Sequence, residues 1–212
     1  MPLICLKDID HNTRLGLWKI CEEESLEDFF PPAVRPLTHK LCTVRRIEKA
    51  AVYAILKAMT GRQDLLIRHE PSGKPFIEKD NGDAYKCYIS ISHTHGYACL
   101  IMSESRPVAI DIEYYSNRVS RITERFMNND ELEECTANDN GMMLIRQIIY
   151  WCAKETAYKL YSDQKLTFSQ IHISDIGHTI EEKGELKCQN IINGKTSILK
   201  YWQNKDFVMT YR

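Results

Sequence analysis

The sequence has almost no net charge. Its 28 Lys and Arg residues are balanced by 29 Asp and Glu residues, which gives a formal net charge of −1. It therefore lacks the overall positive charge that is typical of a nucleic-acid-binding protein. No apolar run approaches the roughly 18 residues that a membrane-spanning helix needs, and charge appears already at Lys7, too early for a signal peptide. We expect no nucleic-acid partner and no membrane.

A paired cysteine motif is also missing. The eight cysteines are spread over the chain, and no two of them are spaced as Cys-x-x-Cys. This excludes the usual zinc-ribbon and thioredoxin-like motifs, and it favours ordinary thiols that act as small core residues. Reduced cysteines are typical of a cytoplasmic protein, and we predict that location.

The chain is long enough, at 212 residues, for one large domain or two lobes of about 100 residues. Apolar residues recur at helical spacing over 44–59 and 142–162, and Gly61 is a natural end for the first of these helices. A similar pattern predicts a helix over 14–24. Alternating patterns predict strands at residues 3–6, 65–67, 85–92, 97–102, 108–113, 166–174, 198–202 and 207–211. The polar stretch 136–141 predicts a loop before the helix over 142–162.

The helix over 142–162 carries charge where an apolar face is expected. Its apolar stripe includes Ile148 and Cys152, and Lys159 falls within that face, with Glu155 at its edge. Lys154 points nearly the opposite way. An ordinary i,i+4 Glu–Lys pair on a partly buried helix accounts for this pattern, and so does a ligand-binding cleft that compensates the buried charges.

Two more carboxylates lie on the strand predicted over 108–113. Alternation places Asp111 and Glu113 on one face, with Ile110 and Ile112 on the other. Adjacent carboxylates repel each other, so they are tolerated on a solvated edge or around a divalent cation. Together with Glu155 they would supply three carboxylates, enough for Mg²⁺.

Four segments of the chain resemble the 4'-phosphopantetheinyl transferase family. Asp111-x-Glu113 is followed by Trp151-x-x-Lys154-Glu155-x-x-x-Lys159, and two upstream segments match in order: Gly73-Lys74-Pro75 and Ile91-Ser92-His93. The length resembles the longer, single-chain type of the family, the surfactin-synthetase-activating type, so we expect a monomer.

The resemblance implies an α+β fold of two similar lobes in a pseudo-twofold arrangement, each with a long helix packed on a small, mainly antiparallel sheet. We expect lobes at 1–106 and 107–212, the second with the metal site, and a ligand site in the cleft between them. The implied activity is the Mg²⁺-dependent transfer of 4'-phosphopantetheine from coenzyme A to a serine of an apo acyl or peptidyl carrier protein.

The resemblance also implies roles for individual residues. Asp111, Glu113 and Glu155 would hold Mg²⁺, and the catalytic group would be Glu155, Asp111 and Lys159. Glu155 is the expected general base, with a water relay from Asp111 as an alternative. The expected coenzyme contacts are Arg46, Lys74, Ser92, His93, Lys154 and Lys159.

Some alternatives stay open at the level of sequence. Arg45 could replace Arg46, since both stand near the start of the helix over 44–59, and both could lie on an ordinary solvated face. Arg118, Arg121 and Arg125 fit either a carrier-protein surface or a solvated helix. Ala109 stands where the family usually has Gly.

Two other functions compete with phosphopantetheine transfer. A non-catalytic relative would bind coenzyme A or the carrier protein without turnover. The acidic residues of the motifs are intact, which argues against a loss of catalysis. A Mg²⁺-dependent nuclease would use a similar set of acids and lysine, but the sequence has no basic stripe for a nucleic acid.

Overall fold

The computed structural model describes residues 3–21, 27–137 and 141–212. They form two compact units, Met1–Val108 and Ala109–Arg212. Within the described ranges there are four α-helices and eleven β-strands, and neighbouring strands in each sheet run antiparallel. This confirms a mixed α/β fold with antiparallel sheets. The pseudo-twofold relation stays a prediction.

The first unit contains a four-stranded sheet and a two-stranded sheet. Its elements are β1 (Leu3–Asp10), β2 (Thr13–Lys19), α1 (Arg35–Thr38), α2 (Thr43–Thr60), β3 (Leu65–His69), β4 (Pro75–Lys79), β5 (Tyr88–Thr94) and β6 (Tyr97–Ser103). The larger sheet has the order β1-β2-β6-β5, and β3 pairs with β4. A short 3₁₀ turn, Glu27–Phe29, precedes α1.

Helix α2 packs on β2 and β6 through a row of small residues. Ala50, Ala51 and Ala54 are fully buried and let the helix approach the sheet closely. The helix ends at Gly61, whose φ of +69° lies in the left-handed region that glycine adopts without strain. The predicted helix and its end residue are both confirmed.

The helix predicted over 14–24 is wrong, because residues 13–19 form β2 instead. Leu15 and Leu17 are buried, and the strand sits between β1 and β6, so both of its edges are hydrogen-bonded. Gly16 lets β2 pack closely against α2, because it has no Cβ; a Cβ built there would lie 2.3 Å from Ile55 Cγ2. Residues 22–24 of the predicted helix lie outside the described residues.

The second unit is a five-stranded sheet with two helices. Its elements are β7 (Ile110–Tyr114), α3 (Asn129–Ala137), α4 (Met143–Leu160), β8 (Ile171–Ser174), β9 (Lys183–Asn190), β10 (Thr196–Gln203) and β11 (Phe207–Tyr211). The sheet order is β7-β11-β10-β9-β8. Helix α4 packs mainly on β7 and β11 and also contacts α3 and β8.

Three details of the second unit differ from the sequence predictions. Only the last four residues of the strand predicted over 166–174 form β8, because Thr167 and Gln170 cap a 3₁₀ turn at Phe168–Gln170. Strand β9 was not predicted. The polar loop expected over 136–141 begins later, since α3 continues to Ala137, and 138–140 lie outside the described residues.

In the part of the chain that the structure describes, no helix combines the length and the apolar character needed to cross a membrane.

Candidate active site

Lys159 and Asp111 form the centre of the candidate site in the second unit. Asp111 lies on β7 and is buried, and Lys159 lies in the last turn of α4. The Lys159 ammonium donates to Asp111 Oδ1 at 2.8 Å and to the carbonyl oxygen of Ile110 at 2.9 Å. The two residues predicted to act together are therefore in direct contact.

Glu113, two residues further along β7, is held by two side chains. The indole nitrogen of Trp151 donates to Glu113 Oε1 at 3.2 Å, and Arg118 donates to the same oxygen. The Arg118 guanidinium also lies over the Trp151 ring, 5.9 Å from its centre. Edge-to-face contacts with Phe126 and Phe168 fix the indole in turn. Trp151 thus sets the direction of the Glu113 carboxylate.

Glu155 on α4 faces the same carboxylates. Its pKa is raised, first by burial and then by the negative charge of Asp111, and Glu113 acts in the same direction. Lys159 and Arg118 oppose this rise in pKa with their positive charge. The three predicted acids are therefore close enough to affect one another, and Glu155 holds a proton more readily than an exposed glutamate does.

A buried hydroxyl pair sets the position of α4 against the sheet. Thr156 Oγ1 lies 2.6 Å from Thr210 Oγ1 and 3.2 Å from the Thr210 carbonyl oxygen. Thr210 stands directly opposite Asp111 in the register of β11 and β7. Because Thr156 follows Glu155 on the helix, this contact fixes the position of Glu155 along the helix axis relative to Asp111.

Lys154 does not point away from the core, as the helical spacing predicted. Its side chain is fully buried, and its ammonium lies 2.8 Å from Glu131 Oε2. It also donates to the carbonyl oxygens of Phe168 and Ile171. Since protein atoms surround the ammonium, we leave Lys154 out of the proposed coenzyme contacts.

A pocket of about 450 Å³ lies in the first unit, between α2, β3 and β5. Arg45 and His93, both considered from the sequence, line this pocket. Arg45 Nη1 lies 3.1 Å from His93 Nε2 and 3.1 Å from Glu48 Oε2, and His93 Nδ1 lies 3.4 Å from Glu48 Oε1. Arginine, glutamate and histidine therefore form a closed triangle of polar contacts.

The positive charge of this pocket comes from Arg45 and Lys49. Besides Arg45 and His93, its lining includes Lys49 and His69. The pKa of Lys49 is lowered by burial and then by the charge of Arg68, and the pKa of His69 is lowered by burial and then by Lys49. Such crowding of cations suits an anionic ligand.

The remaining predicted coenzyme contacts also lie in the first unit. Lys74 follows Gly73 in the turn between β3 and β4, where Gly73 adopts a φ of +87°. Ser92 is buried on β5 next to His93. Arg46 follows Arg45 on α2, but it does not belong to the set of described residues that line the pocket. The geometry therefore favours Arg45 over our first choice, Arg46.

The fit of the second unit to a metal ion rests on its donor chemistry. Three carboxylates are the ligands that Mg²⁺ prefers, and their mutual repulsion is what a cation relieves. As they stand, Lys159 and Arg118 neutralise Asp111 and Glu113. Over 3–21, 27–137 and 141–212, no three acidic, histidine or cysteine side chains have the geometry of a metal site.

The sequence did not indicate a functional or positioning role for several residues of these two sites. They are Glu48, Lys49, His69, Trp151, Thr156 and Thr210. Trp151 is the first residue of the motif Trp151-x-x-Lys154-Glu155-x-x-x-Lys159, so this motif could have indicated its role. Glu48 follows Arg45 by three residues, a spacing that places both on one helix face but does not reveal that His93 joins them.

Comparison with protein families gives a match over residues 107–212, and the matching model describes the 4'-phosphopantetheinyl transferase superfamily. The matched range contains Asp111, Glu113, Glu155 and Lys159 and covers half of the chain. No match was found among curated proteins. Family membership supports a transferase of phosphopantetheine in general, with coenzyme A and a carrier protein as the partners that the family implies. The chain belongs to the 4'-phosphopantetheinyl transferase superfamily.

Proposed function

We propose that this protein transfers the 4'-phosphopantetheine group of coenzyme A to a serine of an apo acyl or peptidyl carrier protein, and that the reaction requires Mg²⁺. The observation that carries the proposal is the contact of the Lys159 ammonium with Asp111, two residues before Glu113 on the same strand. Family membership supplies the reaction class.

In the proposed reaction, the serine oxygen forms a bond to the phosphorus that carries the pantetheine. The bond between this phosphorus and the oxygen bridging the pyrophosphate breaks, and adenosine 3',5'-bisphosphate leaves with the bonding electron pair. The serine proton passes to the Glu155 carboxylate, directly or through a water molecule. Coordination to Mg²⁺ would make the Glu155 carboxylate a weaker base, so a water relay to Asp111 is the alternative route for this proton.

Asp111, Glu113 and Glu155 are the residues that we propose as Mg²⁺ ligands. The ion would lower the negative charge around the attacked phosphorus and stabilise the leaving bisphosphate. Lys159 holds Asp111 in position and adds positive charge beside the reacting groups. Trp151 holds Glu113 through its indole nitrogen, so this carboxylate keeps its direction when a cation competes with Arg118.

We assign the pocket of the first unit to the phosphate groups of the coenzyme. Arg45 and His93 would meet a phosphate there, and Lys49 would add positive charge. Lys74 and Ser92 stay proposed contacts because of their motifs. Arg46 becomes the weaker of the two candidate arginines.

The test is the intact mass of an apo acyl carrier protein after incubation with this protein, coenzyme A and Mg²⁺. We expect the mass to rise by one phosphopantetheine, and we expect EDTA to prevent this. Glu155→Gln should abolish the reaction while preserving the shape of the side chain. Glu182→Gln is the matched control, because the Glu182 side chain is 68% exposed.

The proposal is wrong if several acyl and peptidyl carrier proteins gain no mass although the protein is folded and binds coenzyme A. That result would instead favour a coenzyme-binding protein without turnover. Full activity in EDTA would contradict the metal requirement while leaving the transfer reaction in place.

A further inference from the structure

The contacts of His93 determine which of its ring nitrogens carries a proton. Arginine is only a donor of hydrogen bonds, so the 3.1 Å contact between Arg45 Nη1 and His93 Nε2 requires Nε2 to accept. The proton of a neutral ring must then be on Nδ1, which faces the Glu48 carboxylate at 3.4 Å. The two contacts therefore fit a neutral His93 ring that carries its proton on Nδ1.

A phosphate in this pocket needs the opposite arrangement. Phosphate oxygens at neutral pH are acceptors, so His93 can contact one through Nε2 only if Nε2 carries a proton. Turning the ring over would bring Nδ1–H towards the ligand, but it would also direct the bare Nε2 lone pair at the Glu48 carboxylate. Protonating Nε2 leaves the Nδ1–H contact with Glu48 intact but ends the contact with Arg45, because two donors would then face each other. The phosphate supplies the acceptor that both Arg45 and the protonated ring then need, so the imidazolium lies between two anions.

We propose that the binding of coenzyme A takes up a proton, that this proton resides on Nε2 of His93, and that Glu48 is the positioning residue that makes the uptake favourable. The inference rests on the proposed function, because it concerns the phosphate pocket assigned above. Glu48 suits the role because its side chain is only 15% exposed and its two oxygens face Arg45 and His93 separately.

Other titratable groups face the same pocket and could compete with His93 for the proton. They are Arg45, Glu48, Lys49 and Tyr53 from α2 and His69 from β3. Arginine and lysine are already charged at neutral pH, and Tyr53 is already protonated, its pKa raised mainly by burial. His69 is the real competitor, but the nearby charge acting on it comes from Lys49, which opposes its protonation. Of His69 and His93, only His93 has a carboxylate within 4 Å among the described residues.

The proposal can be tested by calorimetry of coenzyme A binding at pH 8 in several buffers of different ionisation enthalpy. At this pH an ordinary histidine (pKa of about 6.5) is mostly neutral, and a phosphate monoester (second pKa of about 6) is mostly a dianion. The slope of the observed enthalpy against the buffer ionisation enthalpy gives the number of protons taken up. We expect a clear uptake for the unmodified protein.

Three variants identify the residue that takes up the proton. His93→Gln should reduce the uptake to near zero, whereas His69→Gln and the exposed control His95→Gln should leave it unchanged. Glu48→Gln should reduce the uptake and weaken coenzyme binding about tenfold at pH 8, since it removes the charge next to the imidazolium. Asp8→Asn is the matched control, because it removes a carboxylate from an exposed arginine pair of the same unit.

Nitrogen NMR of the His93 ring gives an independent readout that does not depend on binding affinity. We expect the neutral Nδ1–H form in the free protein and the imidazolium in the presence of adenosine 3',5'-bisphosphate. Coenzyme binding without proton uptake, or uptake that survives His93→Gln and disappears in His69→Gln, would overturn this inference alone. Failure of the unmodified protein to bind coenzyme A would overturn both this inference and the proposed function.

Discussion

Lys154 and Glu131 form an ion pair in which neither side chain keeps any exposed surface, and their nitrogen and oxygen atoms lie 2.8 Å apart. The pair is completed by hydrogen bonds. Glu131 accepts from the backbone nitrogens of Asn128 and Ile173. The contact therefore joins the start of α3, the middle of α4 and the strand β8, and it belongs to the scaffold behind the candidate site.

Removing one member of this pair should be costly. We expect Glu131→Gln to destabilise the protein by about 3–5 kcal/mol, because it leaves a buried ammonium without its counter-charge. Urea unfolding at pH 7 measures the change. Lys154→Met/Glu131→Gln should cost less than the sum of the two single changes, since it removes both charges.

The matched control for this prediction is Glu185→Gln. Glu185 and Lys200 pair across β9 and β10 with both side chains more than half exposed. We expect a change below about 1 kcal/mol there. An equally small effect at Glu131 would contradict the view that the buried pair stabilises the second unit.

Glu155→Gln should stabilise the folded protein at neutral pH. The folded-state pKa of Glu155 is raised, so its protonated form favours folding, and this contribution is lost as pH rises through the folded pKa. At pH 7 the charged glutamate repels Asp111 and Glu113, and glutamine removes that repulsion. We expect Tm to rise by about 1–3 °C at pH 7.

The same substitution should have little effect on Tm near pH 4, where Glu155 is already protonated. Thermal unfolding of both proteins across this pH range measures the difference. A lower Tm for Glu155→Gln at pH 7 would show that the glutamate charge is stabilised in the folded protein, contrary to the direction of its pKa shift.

Gly16→Ala tests the close packing of β2 against α2. The added Cβ would lie 2.3 Å from Ile55 Cγ2 and 3.1 Å from Met59 Cε, so the helix must shift. We expect a loss of about 1–3 kcal/mol in the free energy of unfolding. In an Ile55→Ala background, which removes Cγ2, the same change should cost clearly less. Equal costs in both backgrounds would rule out this contact as the cause.

Arg118→Gln should lower the Mg²⁺ concentration that gives half-maximal activity. Arg118 is 57% exposed on its side chain and pairs with Glu113, so it competes with a cation for that carboxylate. The expected change is about two- to fivefold, the range for an exposed ion pair worth up to about 1 kcal/mol. Arg118→Lys is the matched control and should change the requirement less. A higher requirement in Arg118→Gln would contradict the competition.

Long helices with a clear apolar period could be predicted from the sequence, and so could the strand that carries Asp111 and Glu113. The helix prediction over residues 14–24 was wrong because strand β2 is buried on both faces. Its apolar residues, Leu15, Leu17 and Trp18, therefore do not alternate with polar ones and match helical spacing as well as a strand. Strand β9 was missed although Leu186 and Cys188 alternate, because lysines and glutamates surround them.

Tertiary contacts account for the errors at the sites. Lys154 was expected to point away from the apolar face of α4, and the sequence does not reveal that α3 and β8 cover the helix there. The choice between Arg45 and Arg46 depends on about 100° of helix rotation, which a motif of loose register cannot fix. His93 lies 48 residues after Arg45 in the chain, so no local pattern reveals their contact.

The register of β7 against β11 has a consequence for how the protein is made. Asp111 stands opposite Thr210, and within the described residues β11 is the only neighbour of β7 in its sheet. During synthesis, β7 therefore has no strand to pair with until nearly 100 further residues have been added. Until then its unpaired edge is open to wrong partners. The chemistry of this site becomes possible only after nearly all of the second unit has left the exit tunnel.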